Sequence, residues 1–173
     1  RCIDDISCMV IYLRKPRRMR LLTGPPFRAD SDAAYADLVR NFDGKIVLSG
    51  GTTANIVSRE LGRPLEVDMK LVMKAGSLPP PAKMKGVDLV TEGILTLTDV
   101  AQRLEADPPL TTPVPLVSKE LIALFRASDE IEFVVGTKVN EAHQDPSLPV
   151  DLEIRRNIVR RLKHILETKY RKR

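Results

Sequence analysis

An α/β fold with a mainly parallel sheet and flanking helices is predicted for this chain by three observations. Short apolar runs alternate with stretches of helical periodicity, as in chains that cross back over a sheet through helices. Each of three such runs exits into small polar residues. Aromatic residues make up only 4% of the 173 residues and Trp is absent, so the core must come from Val, Leu, Ile, Ala and Met, which suits helices packed on a sheet.

The elements follow in order. Cys8-Met9-Val10-Ile11-Tyr12-Leu13 reads as a strand, Arg14-Lys15-Pro16-Arg17-Arg18 as a polar turn and Met19-Arg20-Leu21-Leu22 as a second strand. Thr23-Gly24-Pro25-Pro26 then stops regular structure, because two prolines remove two backbone donors, and this places a domain boundary between residues 28 and 29. Ser31 or Asp32 can cap a helix that carries Ala34, Leu38 and Val39 and ends near Asn41. Lys45-Ile46-Val47-Leu48-Ser49 is a short strand, Gly50-Gly51-Thr52-Thr53 a turn, and Ala54 to Leu61 a helix closed by Gly62 and Pro64.

Leu65 to Met69 alternates apolar with acidic residues, as a half-exposed edge strand does, and Ser77-Leu78-Pro79-Pro80-Pro81 is a stiff connector. The strand-turn-helix pattern recurs in Gly86 to Thr91, Glu92-Gly93 and a helix from Asp99 to Glu105 capped by Thr98. A proline-rich link from Asp107 to Pro115 leads to a helix with Val117, Leu121, Ile122 and Phe125 on one face, then to the strand Ile131 to Thr137. A long amphipathic helix from Leu152 to Tyr170 closes the chain, with Arg155, Arg156, Arg160, Arg161 and Lys163 largely outward.

The net charge is +5, concentrated in residues 14–20 and 155–173. Phosphates of nucleic acid or lipid would be attracted to such runs. The runs lack interleaved aromatics and match no nucleic-acid motif, so they read as a solvated helix face and a surface loop, with no nucleic-acid partner expected. No apolar run approaches the roughly 20 residues that cross a bilayer, so no membrane partner is expected for this segment. Cys2 and Cys8, six apart in an extended stretch, are too distant for a disulfide and read as free thiols, which fits a reducing, cytoplasmic compartment. The chain opens on Arg1 and enters an apolar run almost at once, which reads as the C-terminal part of a larger protein.

The sharpest local signal is Ser49-Gly50-Gly51-Thr52-Thr53 at a strand-to-helix turn. Glycines let backbone approach a ligand, the first helical N–H groups are unpaired, and Thr hydroxyls add donors, a set that suits a small anion such as phosphate. The alternative is a tight turn in which Thr caps the helix. The turn has neither the Lys of a Walker loop nor the three-glycine dinucleotide spacing. If the strands are neighbours, Thr91, Glu92, Gly93, Gly136 and Thr137 emerge beside it, with Asn140, Glu141 and His143 farther along. Glu92 and Glu141 could then accept ligand hydroxyls or hold a metal, against the reading of both as solvated carboxylates. His143 reads as a turn residue. Asp4 and Asp5 could hold a hard divalent cation, or simply open a strand.

Asp4-Asp5-Ile6-Ser7, followed by Cys8-Met9-Val10-Ile11-Tyr12, resembles the closing motif of SpoIIE-type metal-dependent serine/threonine protein phosphatases. The resemblance implies that residues 1–28 are the last strands of a truncated bacterial phosphatase domain, that Asp4 binds a catalytic Mn²⁺ or Mg²⁺ in the intact hydrolase, and that the parent acts on a phosphoprotein. The stretches around Gly50, Glu92 and Asn140 look like the C-terminal extension of a subgroup of that family, an accessory domain over residues 29–173. Motifs for the other metal-binding aspartates have no counterpart here, so the chain alone is expected to be inactive as a phosphatase. The competing expectation is a regulatory or oligomerising α/β module that binds a small anionic ligand at Gly50 to Thr53. An independent enzyme at the same edge ranks last, because no nucleophile and base pair is recognisable.

Overall fold

The computed structural model describes residues 7–67, 78–106, 113–137 and 150–173. The strands are β1 (Arg18–Thr23), β2 (Lys45–Ser49), β3 (Glu66–Val67), β4 (Ala82–Met84), β5 (Val87–Thr91) and β6 (Glu130–Val135). The helices are α1 (Asp32–Arg40), α2 (Gly51–Leu61), α3 (Ile94–Ala106), α4 (Leu116–Ala127) and α5 (Val150–Thr168). One sheet holds all six strands in the order β3-β4-β5-β2-β1-β6. The four strands β5, β2, β1 and β6 run parallel, while β4 and β3 add an antiparallel edge.

The apolar runs are continuous rather than alternating because the parallel part of the sheet is buried on both faces. Met19, Leu21, Val47 and Leu89 face one core with Leu97, Val100, Leu104, Leu121, Phe125, Leu162 and Leu166 from α3, α4 and α5. Leu22, Ile46, Leu48 and Val90 face the other, with Tyr35, Val39, Ala54 and Val57 from α1 and α2. The chain therefore steps from β1 to β2 to β5 over one face and returns from β5 to β6 over the other. Adjacent strands β2 and β5 send their helices to opposite sides, which opens a crevice at their carboxyl ends.

Several expectations change. Met9 to Leu13 form no strand and are 76–87% exposed. The boundary expected between residues 28 and 29 left Met19 to Leu22 in a separate phosphatase sheet, yet β1 lies between β2 and β6 of this one. α2 begins at Gly51 and α3 at Ile94, each earlier than the spacing suggested. Thr98, expected as a cap, sits inside α3 and donates to the Ile94 carbonyl at 2.8 Å. The short strand β4 was not expected, and it pairs with β5 through the turn at Lys85-Gly86. Cys8 is a free, exposed thiol; Cys2, Asp4 and Asp5 lie outside the described residues.

The basic run at 14–20 is not a free cationic patch. Arg14 pairs with Asp129, Arg18 with Glu130 at 3.5 Å and Arg20 with Glu132 at 2.8 Å, so β6 and the residue just before it supply acids along the strand beside β1. Arg20 also donates to the Leu38 carbonyl at 2.6 Å and lies over the Phe42 ring at 4.2 Å. In the closing helix Arg161 pairs with Glu105 of α3, and just past its end Lys169 donates to the Leu104 carbonyl at 3.0 Å.

Asp129 also accepts from the Arg17 backbone N–H at 2.7 Å. The hydrogen bond from Arg14, then that from Arg17, holds the Asp129 carboxyl well below the usual carboxylate range. A depressed carboxylate contributes fully above its unfolded pKa of about 3.9 and loses the contribution as pH falls toward its folded value. The hold of Asp129 on residues 14–17 should therefore be complete above about pH 4 and weaken progressively as pH falls below it. The hydrogen-exchange protection factor of the Arg17 amide, the intrinsic rate divided by the observed rate at each pH, compared between the wild type and Asp129→Asn across that acid range, checks this; it should fall with pH in the wild type and change little in the variant.

Candidate functional site

Ser49 and Thr91 end neighbouring parallel strands as direct register partners. Both are almost fully buried, and Thr91 Oγ1 donates to Ser49 Oγ at 3.2 Å. One residue beyond Ser49, the Gly50 N–H donates to the Thr91 carbonyl at 3.0 Å, which fastens the two turns together. A Cβ on Gly93 would stand 3.3 Å from the Cα of Gly50, so the turns touch backbone to backbone.

The turns are also alike. Gly50 precedes α2 with φ of 120°, and Gly93 precedes α3 with φ of 135°, a backbone region that L side chains rarely adopt. The Gly50 carbonyl accepts from Ala54 and the Gly93 carbonyl from Leu97, each at 3.0 Å, so both glycines act as helix N-caps. Neither offers a side-chain acceptor, and the opening N–H groups of a helix have no partner inside it. Gly51 to Thr53 and Ile94 to Thr96 present those groups at adjoining helix ends. The third helical residue is Thr in both cases, and each Thr hydroxyl is buried without a hydrogen-bond partner among the described residues.

A cavity of about 180 Å³ lies here. The two turns form one side, Ser49 to Thr53 and Glu92 to Ile94. Thr23, Gly24 and Pro25 at the end of β1 form another, and Arg155 of α5 closes it. The guanidinium lies so near Gly24 that a Cβ at that glycine would come within 2.8 Å of Nη1. Behind Gly24, the buried Tyr35 Oη donates to the Gly24 carbonyl at 2.7 Å. Burial pushes the Tyr35 phenol up, while the adjacent Thr53 hydroxyl and the charge of Arg155 act in the opposite sense. Tyr35 thus stays protonated and serves as a donor that fixes the β1 exit.

Ser49, Gly50, Gly51, Thr52, Thr53, Glu92 and Gly93 line the cavity, and Thr91 fixes its floor. The third expected exit, Gly136 and Thr137, does not join it, because β1 stands between β6 and β2. The Gly136 N–H donates to the Thr23 carbonyl at 2.8 Å, and no side chain would fit against the Gly24 and Pro25 carbonyls. Gly136 is therefore a packing residue. Thr137 is exposed. Asn140, Glu141 and His143 lie outside the described residues.

Sequence reasoning missed Gly24 and Pro25, together with Thr23, Ile94 and Arg155. The first two read as a break in structure, although Thr23-Gly24 repeats the polar-then-glycine exit of Ser49-Gly50 and Glu92-Gly93. Arg155 read as outward because helical periodicity cannot place an adjoining loop. Among the described residues no cluster of three metal-ligating side chains occurs, and no helix is long and apolar enough to cross a membrane. No protein-family model, curated protein or solved structure matches the chain.

Adjacent glycines separate folding from function here. Gly50→Ala forces a side chain into a disfavoured backbone region and should destabilise by ~1–3 kcal/mol. At Gly51 nothing lies within 4 Å of an added Cβ, so Gly51→Ala should be neutral or stabilising by up to ~1 kcal/mol. Urea unfolding of the two variants measures the difference.

Proposed function

We propose that this chain contains an α/β module that binds a small anionic ligand, its negative group seated between the N-termini of α2 and α3. Two helix ends on one cavity support this reading most directly, because each carries a partial positive charge and free N–H donors. The buried Thr53 hydroxyl, set between the Gly50 turn and the Tyr35 phenol and without a hydrogen bond of ordinary length among the described residues, adds a donor at the wall of the cavity. Arg155 supplies a full positive charge opposite the turns. The cavity is smaller than the roughly 300–1,000 Å³ of sites that enclose a drug-sized ligand, which suits a phosphate-sized group with a short attachment.

Gly51→Asp tests the reading without threatening the fold. An acid in the first turn of a helix is favourable to the helix and has open space here, but it repels an incoming anion. Titration of the wild type with inorganic phosphate, followed by amide NMR, should shift residues 51–53 and 94–96. The folded Gly51→Asp chain should show no such shifts, and unchanged shifts in that variant would overturn the proposal.

A second reading concerns residues 1–17, as the closing part of a SpoIIE-type phosphatase domain with Asp4 on its metal. The exposed apolar run Met9 to Leu13, which joins no strand of this sheet, favours a packing partner outside residues 18–173. The residues that would hold Mn²⁺ or Mg²⁺, Asp4 and Asp5, cannot by themselves complete a site that needs several acids. Phosphatase activity with Mn²⁺ should be absent from this chain, should appear in a natural chain extended upstream by a domain length of roughly 200 residues, and should be lost there with Asp4→Ala. An inactive extended chain would remove the reading.

A further inference from the structure

We infer that the ligand of this cavity is a phosphorylated polyol or sugar, whose phosphate lies between the two helix ends and whose neighbouring hydroxyl is accepted by Glu92. The inference rests on the anion-binding reading and goes beyond it in naming the rest of the molecule.

Glu92 carries the argument. It is the sole carboxylate among the residues that line the cavity, and it belongs to the same turn as Gly93, whose backbone touches Gly50. For a bare anion this charge is a fault, since a carboxylate beside a phosphate of charge about −1.5 to −2 opposes binding. A carboxylate can only accept hydrogen bonds, so its presence beside an anion site makes sense for a ligand that brings both a negative group and a donor. A hydroxyl a few atoms from a phosphate is such a donor. Glu92 is solvent-exposed and makes no ion pair or hydrogen bond among the described residues, which leaves its oxygens available.

The walls narrow the class further. No aromatic side chain lines the cavity, and its apolar contributors are Pro25 and Ile94. A nucleobase or other flat ring would find no aromatic face to stack on, and the planar Arg155 guanidinium is taken up by the phosphate in this arrangement. The remaining lining is backbone, hydroxyls, Glu92 and Arg155, which suits a small polar molecule. A volume of about 180 Å³ accepts the phosphate and the first few carbons of such a compound. The Thr53 hydroxyl and the Arg155 guanidinium remain on the phosphate side as donors.

Isothermal titration calorimetry on the whole chain and on Glu92→Ala, with inorganic phosphate, glycerol 3-phosphate, ribose 5-phosphate and AMP, decides the matter. Glu92 is exposed, so the variant is expected to fold, and its circular dichroism spectrum verifies this. In the wild type the two polyol phosphates should bind about tenfold more tightly than inorganic phosphate, the factor for one hydrogen bond to a charged acceptor. AMP should bind no more tightly than ribose 5-phosphate. In Glu92→Ala the polyol advantage should vanish, while inorganic phosphate binds at least as well as before. Wild type that binds phosphate without a polyol advantage, an advantage that survives Glu92→Ala, or a tighter AMP complex would each overturn this inference and leave the anion site standing. Silence from all four probes would overturn both.

Discussion

The parallel pairing of β2 with β5 is the constraint on which the site's architecture depends. It sets Ser49 opposite Thr91, and from that register the Gly50 N–H reaches the Thr91 carbonyl and the two turns meet through glycine backbone. A side chain at either N-cap glycine would strain the backbone, and one at Gly93 would also crowd the Gly50 turn. The contact is short because Gly93 carries no side chain, and the two helix ends are adjacent because the contact is short.

The helices can diverge from so close a pair of origins because they pack on opposite faces. α2 buries Ala54 and Val57 against one side of the sheet, and α3 buries Leu97, Val100 and Leu104 against the other. Burial of roughly this kind contributes ~1.5–3 kcal/mol for each large side chain, far more than any single surface ion pair in the molecule. The cores therefore fix where the helices start, and the polar cavity takes its shape from them.

Surface charge has a different part. Most of the basic excess near β1 is matched by acids along β6, which ties the segment that precedes the sheet to its far edge. Arg155 differs from these residues in facing the β1 exit and the cavity, where its charge meets backbone and a buried tyrosine rather than a carboxylate among the described residues. A positive group held there is consistent with the anion proposed for the site.

The α/β class, the strands β1, β2, β3, β5 and β6 and, the starts of α2 and α3 apart, the five helices among the described residues were legible in local sequence, because apolar periodicity and glycine or proline stops are properties of neighbouring residues. So was the Ser49 to Thr53 turn, whose glycines and threonines announce free backbone donors. Strand order was not, since nothing in residues 45–49 or 130–135 says which strand stands beside them. Tertiary structure paired β5 with β2, which brought Glu92 to the Gly50 turn, and placed β1 between β2 and β6, which kept Gly136 away from it. It also refused Met9 to Leu13 a strand, because an apolar run becomes one only when another strand's N–H and C=O groups lie alongside. Sequence by itself thus determined the kind of elements and their polar exits. Only packing across the sheet, a matter of residues far apart in the chain, decided which exits share a cavity.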